Sequence, residues 1–150
     1  MRFLCSVIVE DDNPRRLLLI RDPIGAVPFK WNQPHGNVEG VETPWQTAVR
    51  VVKQATGFDI ELVALQRIHL LPKNDRYDIN ICYVSRIIPS EPEETGDSPT
   101  DEFKWFTIAE LEQMSQSDFR HKLAIKRIHD WKHNVQYHSP FLEISPEDTQ

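Results

Sequence analysis

Six side chains in this sequence have the types and placement to do chemistry: Trp31, His35, Glu39, Glu42, Arg50 and Glu102. His35 can hydrogen-bond a phosphate or take a proton. Trp31 can stack on a base. Glu39 can ligate a cation, Glu42 can accept charge-assisted hydrogen bonds, and Arg50 can donate them in a bidentate fork. Glu102 by itself cannot build a magnesium cage, which needs several oxygens. Each also has an ordinary structural reading: a Trp at a sheet edge packs, a loop histidine has no task, and a loop acid is solvated. The sequence has no Cys and His at zinc spacing, no Gly-rich phosphate loop and no nucleophile elbow.

The element that must position most of these groups is a helix over residues 43–56. Thr43 is its cap, Pro44 suits the first helical position and Gln46 completes a capping box. Gly57 fits the left-handed position just past the end. Trp45, Ala48, Val49, Val51, Val52 and Ala55 form a continuous apolar face, with Gln46, Thr47, Arg50, Lys53 and Gln54 opposite. Positions 51, 54 and 55 are neighbours on this helix, because residues three and four apart share a face. They carry a valine, an amide and a methyl. Gln54 offers one neutral oxygen, which does not offset the dehydration of magnesium as a carboxylate does.

The stretch 33–58 resembles the Nudix family. That family's signature is Gly, five residues, Glu, seven residues, Arg-Glu, an apolar residue, any residue, Glu-Glu, any residue, Gly and an apolar residue. Gly36, Glu42, Arg50, Val52, Gly57 and Phe58 match it, while Val51, Gln54 and Ala55 stand where the family has glutamates. Residues 31–36 resemble the Trp-any-Leu-Pro-Gly-Gly lead-in, with Gln33 and His35 as departures. Arg21 matches the basic residue that commonly follows an early strand, and 102–111 resembles the family's last strand and following helix. The resemblance implies a mixed sheet sandwiched between helices. It also implies pyrophosphate hydrolysis of nucleoside diphosphates linked to another group, with magnesium or manganese held by the three glutamates. In the family the arginine of the box braces the loop, and a carboxylate near Glu102 often binds metal or acts as base. Glu42 and Glu102 are therefore the candidate catalytic residues, and Trp31, His35 and Arg50 the candidate substrate contacts. No metal is expected at Val51, Gln54 and Ala55, and Glu39 is the one possible ligand. Without the acids, hydrolysis is expected to be weak or absent. The chain then reads as a binding module for a nucleotide or nucleotide-sugar. An active hydrolase with an atypical Mg2+ or Mn2+ site and a partner-binding domain remain the alternatives.

The rest of the chain fits an α+β fold in one domain over residues 1–150. Strands are expected at 3–9 and 17–20 as a hairpin, one or two over 59–71, one at 77–88 and one at 102–106. The 77–88 strand should have Ile79, Ile81, Tyr83 and Ile87 on one side. Its other side, with Asp78, Asn80, Cys82, Val84 and Arg86, reads as more polar. Thr107 and Glu110 form a second capping box, and Ser117 is expected to cap a final helix to Asn134. Loops are expected at 22–30 and at 89–101, the latter acidic, with a polar tail over 135–150. The net charge of −6 argues against nonspecific nucleic-acid or anionic-membrane binding. Cys5 and Cys82 read as core thiols, and no apolar run is long enough for a membrane span. A cytoplasmic protein is the default expectation, and the sequence leaves the oligomeric state open.

Overall fold

In the computed structural model, which describes residues 1–21, 30–89 and 102–138, one strand lies at the centre of everything else. This is β1 (Arg2–Asp12). Its side chains are apolar on both faces, as expected of a strand covered on both sides. One of its edges carries β5 (Tyr77–Ile87), in parallel, from Arg2↔Asp78 to Glu10↔Arg86. The other edge is shared. Near its start, β1 pairs antiparallel with the short β3 (His35–Asn37), and near its end with β2 (Arg15–Arg21). β4 (Ile60–Pro72) lies outside β5, and β6 (Glu102–Thr107) outside β2. The order is β4-β5-β1-β2-β6, with β3 attached to β1, a mixed sheet of the expected kind.

Helix α1 (Pro44–Thr56) covers one face. Ala48, Val51, Val52 and Ala55 pack there against Cys5, Val7, Val9, Leu18, Ile20, Ile81 and Tyr83. The opposite face carries Ile8, Leu17, Leu19, Cys82 and Val84, under Leu111 of α2 (Ile108–Glu112) and Ile128 and Trp131 of α3 (Lys122–Lys132). The alternation of period two along β1, β2 and β5 thus feeds two cores. Both cysteines are buried free thiols, one in each core.

The cap of α1 forms as its sequence dictates. Thr43 accepts from the Gln46 N–H, the Gln46 side chain accepts from the Thr43 N–H, and Gly57 sits at φ 81°. The face assignment needs two corrections. Thr47 is fully buried, because its hydroxyl donates to Glu42 at 2.7 Å beneath the loop. Val49 is 38% exposed, beside Trp45 and Leu62 at the outer edge of the sheet.

One further expectation resolves to one of its alternatives, and two change. Residues 60–72 form one strand, which passes two register irregularities against β5 without breaking. The second face of β5 is not a polar surface: Cys82 and Val84 are core, and Asp78 is buried with Arg2 and Arg76 at 2.7 and 3.0 Å. The final helix does not begin at Ser117 or reach Asn134. Residues Gln116–Asp118 form a 3-10 turn, Phe119 is extended and bridges Trp31, and His121 caps α3. Pairing with Trp31 requires an extended backbone at 119, and this tertiary contact overrides the local capping signal. Residues 22–29 and 90–101 of the expected loops, and 139–150 of the expected tail, lie outside the described residues.

Gly36 has a steric reason to be glycine. A Cβ built there would lie 2.6 Å from Val51 Cγ1. Valine is stiff at χ1 and cannot easily swing away. Gly36→Ala is expected to cost about 1–2 kcal/mol through overpacking. Part of that loss should return in the double variant Gly36→Ala/Val51→Ala, as read by urea denaturation. Additive losses would show that the two positions do not press on each other.

Candidate functional site

The shared edge of β1 creates the site. Between its pairings with β3 and with β2, the chain from Trp31 to Asn37 is inserted. The Ile20 N–H donates to Asn32 O at 2.8 Å and the Asn32 N–H returns to Ile20 O at 2.9 Å. The Val7 N–H donates to Pro34 O at 2.9 Å. This inserted segment and the exposed end of α1 form the walls of a cleft of about 280 Å3. Its floor is Ile20, Gly36, Val51 and Ala55, and its polar rim includes Arg21, Lys30, Asn32, His35, Glu39, Arg50, Gln54 and Arg120.

Arg50 is the hub of one wall. Its Nε and Nη2 donate to Glu42 at 2.8–3.2 Å, its Nη2 also to Asn37 O at 2.8 Å, and its Nη1 to Gln54 Oε1 at 3.1 Å. Glu39 lies 3.7 Å away. Glu42 also accepts from the Thr47 hydroxyl and from the Glu39 N–H at 2.9 Å. The expected brace between helix and loop is therefore formed. The Arg50 guanidinium, with smaller help from Thr47 and the Glu39 amide, pulls the Glu42 carboxyl from 4.5 down to about 2.

A depressed carboxyl stabilises the fold fully above its unfolded value. That contribution is lost as pH falls from about 4.5 towards 2. Parent and Glu42→Gln should therefore converge in stability on acidification through that window, as followed by urea midpoints. Other paired carboxylates titrate in both proteins, so parallel curves would remove Glu42 from the account.

His35 lines the cleft, and its Nδ1 donates to Gln33 O at 2.9 Å, leaving Nε2 as its other polar atom. Trp31 lies elsewhere: its ring meets Phe106 edge-on at 5.0 Å, with the Arg21 guanidinium 4.8 Å above it. Glu102 is bound bidentately by Arg21, at 2.8 Å for both contacts, which holds its carboxyl below the usual range. Of the six expected residues, His35, Glu39 and Arg50 line the cleft. Glu42 sits behind Arg50, Glu102 behind Arg21, and Trp31 supports the second core.

The three helix positions and the two arginine-bound acids do not fit magnesium or manganese. Val51 and Ala55 are each 5% exposed and supply only carbon. Glu42 and Glu102 are saturated by arginines. Among the described residues no three His, Cys, Asp or Glu side chains converge on one point.

Over residues 3–128 the sequence matches the profile of the NUDIX domain. The chain belongs to the NUDIX family. Solved structures agree on the fold. A NUDIX hydrolase from Nitrosomonas europaea is similar at 23% identity, covering 96% of this chain and 97% of that one, with a TM-score of 0.78. The NUDIX domain of Shewanella oneidensis NrtR, complexed with ADP ribose, is 15% identical and covers 89% and 87%, with a TM-score of 0.64. An ADP compounds hydrolase is 15% identical over 89% and 72%, with a TM-score of 0.70. No curated protein matches the sequence.

Sequence reasoning missed Lys30 and Arg120, which this NUDIX fold brings to the same cleft from positions 90 residues apart. It also missed Arg127, which is 3% exposed and donates to Gln33 Oε1 at 3.5 Å, while Gln33 Nε2 donates to Ala124 O at 3.0 Å. A signal for that pair was present. Gln33 stands where the family has an apolar residue, and Arg127 interrupts the buried stripe of α3 beside Ala124 and Ile128. Two polar residues at apolar positions are expected to find each other.

Proposed function

We propose that this NUDIX domain binds a nucleotide-type small molecule, a nucleoside diphosphate linked to a further group, in the cleft beside α1. We also propose that it hydrolyses that molecule weakly or not at all. The observation that carries this reading is the floor of the cleft. The arc of α1 that faces it holds Val51, Gln54 and Ala55, and the nearby acids Glu42 and Glu102 are committed to arginines. Binding of ADP ribose by a structural neighbour, the NrtR domain, supports the ligand class. His35 is the side chain assigned to a direct ligand contact from this face, and Arg50, its nitrogens held by Glu42, Asn37 and Gln54, is assigned to the ligand through its charge and the loop it fixes.

Thermal melts with ADP ribose, ADP and a nucleotide-sugar test the binding, since a ligand of the folded state raises apparent stability. Phosphate release with manganese tests the turnover. Stabilisation without turnover is the expected result. A second reading, hydrolysis with an atypical metal site, has one specific support: Glu39 lines the cleft with its side chain 69% exposed. Manganese-dependent turnover lost in Glu39→Gln would favour it. Neither stabilisation nor turnover would leave a partner-binding domain.

A further inference from the structure

Resting on that ligand class, we infer that the cleft grips the diphosphate directly with Lys30 and Arg120, in place of a divalent cation. The rim of the cleft carries the cations Arg21, Lys30, Arg50 and Arg120 against one acid, Glu39. Two of them are committed, Arg21 to Glu102 and Arg50 to Glu42. Among the described residues, Lys30 and Arg120 have no carboxylate partner. The protein carries a net charge of −6, so a basic rim is not a sample of its general surface.

The backbone holds the two side by side. The Trp31 N–H donates to Asp118 O and the Arg120 N–H to Trp31 O, both at 2.9 Å. This ladder fixes Arg120 beside the Lys30–Trp31–Asn32 segment and so at the same mouth. The neighbouring His121 is held below its ordinary value by burial first, and then by the field of Arg127, Lys73, Arg120 and His35. Positive charge therefore accumulates on this side of the cleft, facing the arc of α1 where the family has its glutamates.

The chemistry suits a diphosphate. A guanidinium takes two phosphate oxygens at once, and a lysine ammonium acts as a mobile point charge for a third. The apolar floor of Val51 and Ala55 lowers the local dielectric and strengthens both contacts. Magnesium has the opposite effect here from its effect in a metal-dependent site. It chelates the diphosphate in solution, reduces its charge and is itself repelled by the rim.

Calorimetry with ADP ribose, inorganic pyrophosphate and adenosine, in EDTA and in excess magnesium, tests this. Both diphosphates are expected to bind in EDTA, pyrophosphate to compete with ADP ribose, and magnesium to weaken both. Lys30→Gln and Arg120→Gln are each expected to weaken binding by about tenfold or more, the loss of one charge-assisted hydrogen bond. Arg86→Gln makes the same charge change at a remote pair with Glu10 and Asp12 and should leave affinity unchanged. Binding of ADP ribose that requires magnesium would overturn this inference but keep the nucleotide reading. The same holds for binding in EDTA that is indifferent to both variants or to pyrophosphate. Binding of adenosine as tight as that of ADP ribose would place the affinity in the nucleoside and also overturn it. Binding of none of the three would overturn both.

Discussion

The triple variant Val51→Glu, Gln54→Glu, Ala55→Glu is expected to melt well below the parent in EDTA and to recover on addition of magnesium. The destabilisation follows from burial. Val51 and Ala55 are each 5% exposed, inside the core beneath α1. Carboxylates placed there lose hydration, crowd one another and, at position 51, press on Gly36. Several kcal/mol is the scale for such unpaired buried charge. The recovery follows from geometry, since the three positions share one arc of a well-capped helix and face one cleft. A divalent ion that binds the folded state alone, at a hundred times its Kd, returns about 2.7 kcal/mol. Melting temperature with and without magnesium reads both effects, and phosphate release from nucleoside diphosphate derivatives reads any restored chemistry. A variant that folds but shows neither metal-dependent stabilisation nor turnover would mean that more than the acids has been lost. The basic rim of Lys30 and Arg120 would be the first place to look, because it opposes any cation in the cleft.

The second large effect is expected from Arg50→Ala, a loss of about 1–3 kcal/mol. Arg50 holds together three pieces of the site: the Glu42 carboxylate, the carbonyl of Asn37 and Gln54 of its own helix. Truncation removes all these bonds and leaves Glu42 without its cation, although Thr47 and the Glu39 amide still donate to it. Urea denaturation measures the loss. The same variant should also give up ligand binding, because the 37–42 loop is no longer tied to α1. Arg50→Lys separates charge from geometry. A lysine restores charge but not the fork that reaches Glu42 and Asn37 together, so it should recover only part of the stability. Full recovery in Arg50→Lys would make the brace a matter of charge alone. No loss in Arg50→Ala would mean that loop and helix hold each other without it.

Local rules were enough for the motif helix. The Thr43 box, Pro44, the apolar period and Gly57 set its bounds at Pro44–Thr56, because capping and periodicity act within a few residues. The family resemblance, carried by Gly36, Glu42 and Arg50, was enough for the brace and for the mixed sheet. The sequence also determined what is missing, since the side chains of a valine and an alanine carry no oxygen wherever the chain folds. What only tertiary structure decided are the relations between distant segments. Thr47 is buried rather than exposed because the Glu42 loop folds over it. Cys82 and Val84 form a second core because α3 covers that face. The final helix starts after His121 because Phe119 must pair with Trp31. The same pairing brings Arg120 to Lys30, a proximity that no local pattern encodes. Hydrogen bonds between strands far apart in the chain set it, and with it the sign of charge at the mouth of the cleft.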